Sequence, residues 1–151
     1  MSNTIENYWQ KFLKETNRSP ATKYYGAFPF GHTEEIATWL LKLILDGTKT
    51  ATASAIPAYT VSNEAQPQVG DRSIVTDWAG KPHCIIETTA VAVIKFEDIT
   101  YDICRREGEH DNLEGWQRDH VIAFEHEAAE LGYEFSWDMP VLFEDFTVIY
   151  K

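Results

Sequence analysis

The stretch after Pro82, HCIIETTAVAVIKF, limits the possible folds more than any other part of the chain. Its fourteen residues are mostly β-branched or small and apolar, whereas a typical strand runs to about 5–6 residues. A strand of this length stays within a small domain only by bending. The polar pair Thr88 and Thr89, near its middle, marks the place for a bend or bulge. Upstream, DRSIVTDW reads as a strand and AGKP as a turn, so the two strands form a hairpin.

Helical periodicity surrounds this hairpin. Ile5, Tyr8, Trp9, Phe12 and Leu13 fall on one face of a helix predicted over 3–16, with Thr4 or a neighbour as its cap. A loop, NRSPATKYYGAFPFG, follows it. In HTEEIATWLLKLILDG, Thr33 is placed to cap a second helix, Glu34 and Glu35 suit its positive end, and Gly47 ends it. Ile36, Trp39, Leu40 and Leu43 form its expected apolar face. The chain is then β-tolerant from Lys49 to Pro57 and reads as a polar loop from Tyr59 to Gly70. YDICRREGE suggests a short helix, and NLEGWQRDHVIAFEHEAAELG a long one with Leu113, Trp116, His120, Phe124, Ala128 and Leu131 along one face. YEFSW and PVLFEDFTVIYK supply one or two last strands. Helices interspersed with unevenly spaced strands imply a small α+β domain on a curled sheet or barrel, and periodicity does not choose between the two.

The length of 151 residues and a composition 44% hydrophobic, 13% aromatic and 25% charged suit one soluble domain over 1–151. No signal-peptide pattern or membrane-length apolar run is visible, so a cytoplasmic location and no membrane partner are expected. Cys84 and Cys104 lack metal-ligand spacing and read as small buried thiols. The net charge of −11 is uneven: Lys plus Arg and Asp plus Glu balance at nine each up to Phe96, then stand at four against fifteen. That excess opposes a polyanionic partner, because nonspecific nucleic-acid affinity comes from basic groups on phosphates.

The segment DGTKTATAS sets Lys49 among Thr50, Thr52 and Ser54. A lysine at a helix exit also balances the negative helix end. Among hydroxyls, however, it matches arrangements in which lysine activates a nucleophile or stabilises charge. Regular strand geometry sends Lys49 and Thr52 to opposite faces, so cooperation requires Lys49 in the turn before the strand, or a bulge. Glu107 reads either as a solvated loop acid or as a site residue. His120 reads as a core histidine with a structural role. His126 and Glu130 are an ordinary helical pair, and no metal or cofactor is expected.

Together these residues resemble the ASCH domain family, relatives of the PUA RNA-binding fold. The resemblance rests on YYGAFPFG, on Gly47, Lys49 and Thr52 as a GxKxxT pattern, on the VGDRSIVTDW hairpin region, on EGE from Glu107 to Glu109, and on Trp116 and His120 as W-x-x-x-H. It implies a PUA-like β-barrel of about five or six strands with flanking helices. It also implies a cleft where the GxKxxT segment meets the EG loop. Some members are amidohydrolases that deacylate N(4)-acetylcytidine, which by motif makes Lys49, Thr52 and Glu107 the catalytic group; others are described as ribonucleases or RNA-binding modules. Tyr24, Tyr25, Phe28, Ser54 and Trp78 are the candidate substrate-binding residues, the aromatic ones by stacking on a base. The expected partner is therefore a small nucleoside, with single-stranded RNA as the alternative. In this reading Thr52 attacks the acyl carbonyl and Glu107 protonates the departing amine. Lys49 acts as base if it shares a proton with Glu107, or as oxyanion stabiliser if both are ionised.

Overall fold

The computed structural model describes residues 2–151. Its single sheet has five strands, β1 (Gly26–Phe28), β2 (Ala51–Ala55), β3 (Arg72–Thr76), β4 (Pro82–Lys95) and β5 (Pro140–Tyr150), in the order β1-β3-β4-β5-β2. The sheet curls into a partial barrel of α+β class. β3 and β4 form the expected antiparallel hairpin, while β1 adds to β3 in parallel. β4 is long enough to pair with β3 through its first half and with β5 along most of its length. The bend falls at the threonine pair: the β4–β5 register passes from Thr88 opposite Phe146 to Ala90 opposite Asp145, so Thr89 is the extra residue.

Helix α1 (Ser2–Glu15) covers the outer face of the hairpin with Trp9, Phe12 and Leu13, all fully buried. Each such side chain contributes about 1.5–3 kcal/mol when removed from water. The helix begins before Thr4, which therefore lies in its first turn rather than at its cap. Helix α2 (Glu34–Leu45) is capped by Thr33, whose hydroxyl accepts from Ile36 N at 3.2 Å. Its buried face is Ala37, Leu40, Leu41 and Ile44, turned from the expected one, and Trp39 is 44% exposed. The sheet's small Val75 and Cys84 meet this rotated face, along with Phe146.

Helix α5 (Leu113–Leu131) is capped by Asn112 and packs Trp116 and Phe124 against Ala55, Phe96 and Val141; Ala128 is also buried, whereas Leu131 stays exposed. Three segments differ from expectation. Ile56–Ser62 is a helix, α3, because Pro57 stands in its first turn where its missing N–H costs nothing. Gly26–Phe28 is an edge strand inside the expected loop. YEFSW forms no strand, and YDICRREGE divides into α4 (Tyr101–Cys104) and a 3-10 turn over Arg105–Glu107. Both cysteines are free and buried, and burial pushes each thiol up to about 11. Among the described residues no helix is long and apolar enough to cross a membrane.

Candidate functional site

The strand order leaves β1 and β2 at opposite edges of the sheet, and curling brings the segments beside them together. The Lys49 ammonium, just before β2, lies 5.9 Å from the ring centroid of Phe30, just beyond β1. Lys49 occupies the tight exit from α2, where Gly47 takes a left-handed φ of 85° and the Thr48 and Lys49 amides both donate to Leu43 O. It is thus in the turn before the strand, which removes the alternation constraint between Lys49 and Thr52.

Just before β2, Thr50 O accepts from Phe146 N, so alternate residues bond β5 and Ala51 directs its carbonyl to the free edge. The Lys49 Nζ donates there, to Ala51 O at 2.8 Å. It also donates to Glu107 Oε1 at 3.1 Å and to Glu109 Oε2. Glu107 has both oxygens engaged: Oε2 accepts from Trp116 Nε1 and lies 3.3 Å from His120 Nε2. His120 is stacked on Trp116 at 4.1 Å between centroids, with its Nδ1 2.8 Å from Trp116 O. The side chains of Lys49 and Glu107 are 1% and 2% exposed, while Glu109 and His120 reach 10% and 13%.

The electrostatics follow from this packing. Burial disfavours the Lys49 charge, yet Glu107 and Glu109 outweigh it and raise the lysine above its ordinary value. Burial likewise opposes ionisation of Glu107, but Lys49 and His120 hold its carboxyl well below the usual range. His120 is raised, burial being overcome by Glu107. Glu109 moves the other way: burial and the neighbouring Glu107 charge lift it despite Lys49. The cluster therefore holds a charged lysine on an ionised Glu107, next to a carboxyl with raised proton affinity and some access to solvent.

Oxygens of Glu107 and Glu109 and a ring nitrogen of His120 lie within 4.8 Å of one another, a spacing compatible with a metal ion. Lys49 already bonds both carboxylates, so a divalent ion at this point would meet the ammonium charge. The donor set is filled by a protein cation.

Gly108 sets the spacing of the two acids. Its φ is +71°, and a Cβ there would stand 2.4 Å from Thr48 O, so only glycine lets the EGE turn close against the α2 exit. Gly108→Ala is expected to cost more than about 1 kcal/mol, strain and clash adding together. Thermal or chemical denaturation measures it, and an unchanged midpoint would contradict the role.

An ASCH domain model matches residues 26–150. A crystal structure of an ASCH domain from Lactobacillus crispatus JV V101 is 36% identical, with 99% of this chain and 94% of that one covered and a TM-score of 0.84. A protein from Enterococcus faecalis V583 is 28% identical, with 99% and 90% covered and a TM-score of 0.90. The chain belongs to the ASCH domain family. Against curated proteins the sequence finds no significant match.

Within this ASCH domain the sequence-predicted residues separate. Lys49 and Glu107 are in direct contact, 58 positions apart in sequence. Thr52 is half-buried on β2 opposite Glu144, and Ser54 lies on the same face beside the Tyr59 phenol. Tyr24 packs against Trp9 at 5.3 Å, as part of the core under α1. The Tyr25 hydroxyl donates to Ala65 O, and burial raises its proton affinity. Phe28 lies 5.7 Å from Phe30, on the side of the sheet that reaches Lys49. Trp78 stands 46% exposed in the β3–β4 turn, with no contact to this cluster among the described residues. Sequence reasoning misses Glu109 and assigns His120 a structural role alone. The flanking of a left-handed glycine by two acids is the signal for the first; the i, i+4 spacing with Trp116 is the signal for the second.

Proposed function

We propose that this ASCH domain hydrolyses the N-acyl bond of a modified nucleoside or nucleobase, represented by N(4)-acetylcytidine. The observation that carries the reading is the buried Lys49 ammonium, fixed by two carboxylates at the carbonyl that immediately precedes Thr52. A charged lysine held this firmly is an oxyanion stabiliser rather than a base.

The chemistry then divides among the neighbours. Thr52 Oγ1 attacks the acyl carbon and its proton passes to Glu109, which releases one of the three engaged N–H donors of Lys49 to the carbonyl oxygen as that oxygen takes up negative charge. When the C–N bond breaks, Glu109 returns the proton to the departing amine nitrogen. Water then attacks the Thr52 ester, again giving its proton to Glu109, which restores the threonine hydroxyl as the acid leaves. A carboxyl with raised proton affinity suits both directions of transfer. Glu107, with both oxygens occupied and 2% exposure, positions Lys49 and His120. The acid role that the motif alone gives to Glu107 thus passes to Glu109.

The cations near the site favour a small substrate over a polynucleotide. Arg106 is paired with Asp145, Arg72 with Glu87, and Lys49 with two acids, which leaves little unmatched positive charge for a phosphate backbone.

Parallel incubation of purified protein with N(4)-acetylcytidine and with single-stranded RNA tests the reading. Release of acetate with Thr52→Ser partly active and Thr52→Ala reduced by about 100-fold or more is the expected result. Turnover should change little between low and moderate salt, because a buried charge is weakly screened. Cleavage or salt-sensitive binding of the RNA, without deacylation, would overturn it; full activity in Thr52→Ala would transfer the attack to water.

A further inference from the structure

The face of the sheet that bears Thr52 carries further side chains that the acyl-transfer steps leave unused. Directly opposed residues on antiparallel strands share a face, so the register aligns Thr52, Glu144 and Val91 in one row across β2, β5 and β4. The next row is Ser54, Leu142 and Val93. Val91 and Val93 are 38% and 61% exposed, an apolar floor left uncovered in a protein that buries most of its large side chains.

Glu144 lies in this floor at 8% exposure. One of its oxygens, Oε2, accepts from the Thr88 hydroxyl at 2.5 Å. Its Oε1 has no protein partner among the described residues, yet it is not sealed from solvent. Among the described residues no cation neutralises the group: burial and the nearby Asp71 and Asp145 favour its protonated form, opposed by the Thr88 bond. Once protonated, this carboxyl presents an O–H donor and a C=O acceptor side by side.

We infer that Glu144 is the specificity-determining residue of the site and binds the edge of a planar heterocycle that offers a ring-nitrogen acceptor next to an exocyclic N–H. Acylated aminopyrimidines have this edge, and the exposed valines supply a flat apolar surface for the ring. The inference rests on the deacylase reading above. Its geometric merit is that the recognised N–H belongs to the same amide that Thr52 attacks, and Thr52 and Glu144 are directly opposed across the ladder, at about 4.5–5.5 Å between Cα atoms. Recognition and attack therefore need no separate anchoring of the substrate. Thr88 acts as a positioning residue that fixes the carboxyl's orientation.

The test compares Glu144→Leu and Glu144→Gln with the native protein, using N(4)-acetylcytidine and acetanilide, an acyl amide that lacks the ring nitrogen. Glu144→Leu is expected to lower kcat/KM for N(4)-acetylcytidine by about 10- to 100-fold, the loss that accompanies a missing paired hydrogen bond. Glu144→Gln, which keeps a donor and an acceptor, should stay within about threefold of native. Hydrolysis of acetanilide, which keeps the amide N–H and lacks only the ring nitrogen, should fall less in Glu144→Leu than that of N(4)-acetylcytidine. Native turnover of N(4)-acetylcytidine with an unchanged Glu144→Leu rate would overturn this inference and leave the deacylase reading standing. Absence of turnover or binding by the native protein would overturn both. Circular dichroism and melting of each variant separate a lost contact from a lost fold, and a folded Glu144→Gln protein as impaired as Glu144→Leu would also refute the neutral-carboxyl role.

Discussion

Glu107→Gln is expected to lower the free energy of unfolding by about 3–5 kcal/mol at neutral pH, the usual cost of removing one partner from a buried ion pair. The carboxylate stands between the Lys49 ammonium at 3.1 Å and the His120 ring at 3.3 Å, with the Trp116 indole N–H on the same oxygen as His120. An amide has one acceptor oxygen and turns two donors towards groups that are themselves donors. At 2% exposure water does not replace the lost bonds. The loss is a large share of the roughly 5–15 kcal/mol that holds a domain of ordinary stability. Urea denaturation at pH 7 measures it, and a change below about 1 kcal/mol would show that the cluster relaxes around the amide. A solvated loop acid or cleft residue, the two readings the sequence allows for Glu107, would be replaced with little effect on the fold. Its burial gives the opposite expectation, so activity measurements on this variant have meaning only for the fraction that remains folded.

The legible parts of the protein are those governed by local rules. Thr33 and Asn112 cap their helices because a short oxygen-bearing side chain can satisfy an orphan N–H. The bulge at Thr89 follows from strand length, and burial of Trp9 and Phe12 follows from helical spacing. Long-range placement was harder to read. Ile36 and Trp39 have the hydrophobicity of core residues, but the direction from which Val75, Cys84 and Phe146 approach α2 selects Ala37 and Ile44 instead. β1 has only three residues, too few for a periodic signal, and exists because β3 offers it an edge.

The candidate site divides in the same way. Lys49 stands out in sequence through its hydroxyl neighbours, and Glu107 through the motif. Their contact spans 58 positions and depends on Gly108 closing against Thr48. Glu109 does not stand out in the sequence, because an acid two residues from another looks like a solvated loop until the left-handed glycine turns both toward one ammonium. The raised proton affinity of Glu109 depends on Glu107 being ionised beside it, a property of the folded cluster that neither residue carries alone.

Lys49→Met is expected to reduce turnover by about 100- to 1,000-fold, the range for removal of an oxyanion-stabilising group. It should also destabilise the fold, by an amount that depends on pH in a definite direction. In the native protein the depressed Glu107 carboxyl contributes stability that is fully present above its ordinary value of 4.5 and is lost as pH falls through its folded value. Without Lys49, two largely buried carboxyls share only His120, so both are pushed up and the fold gains by protonating them. Acid down to about pH 4–5 leaves that native contribution largely in place while it relieves the variant. The difference in unfolding free energy between the two should be largest at about pH 7–8 and shrink steadily toward about pH 4–5. Paired denaturation curves across that range decide the matter. A difference that stays constant with pH would mean that the methionine acts through packing alone and that the carboxylates never depended on the lysine. A shrinking difference accompanied by undiminished turnover would keep the ion pair as a structural device and remove Lys49 from the chemistry.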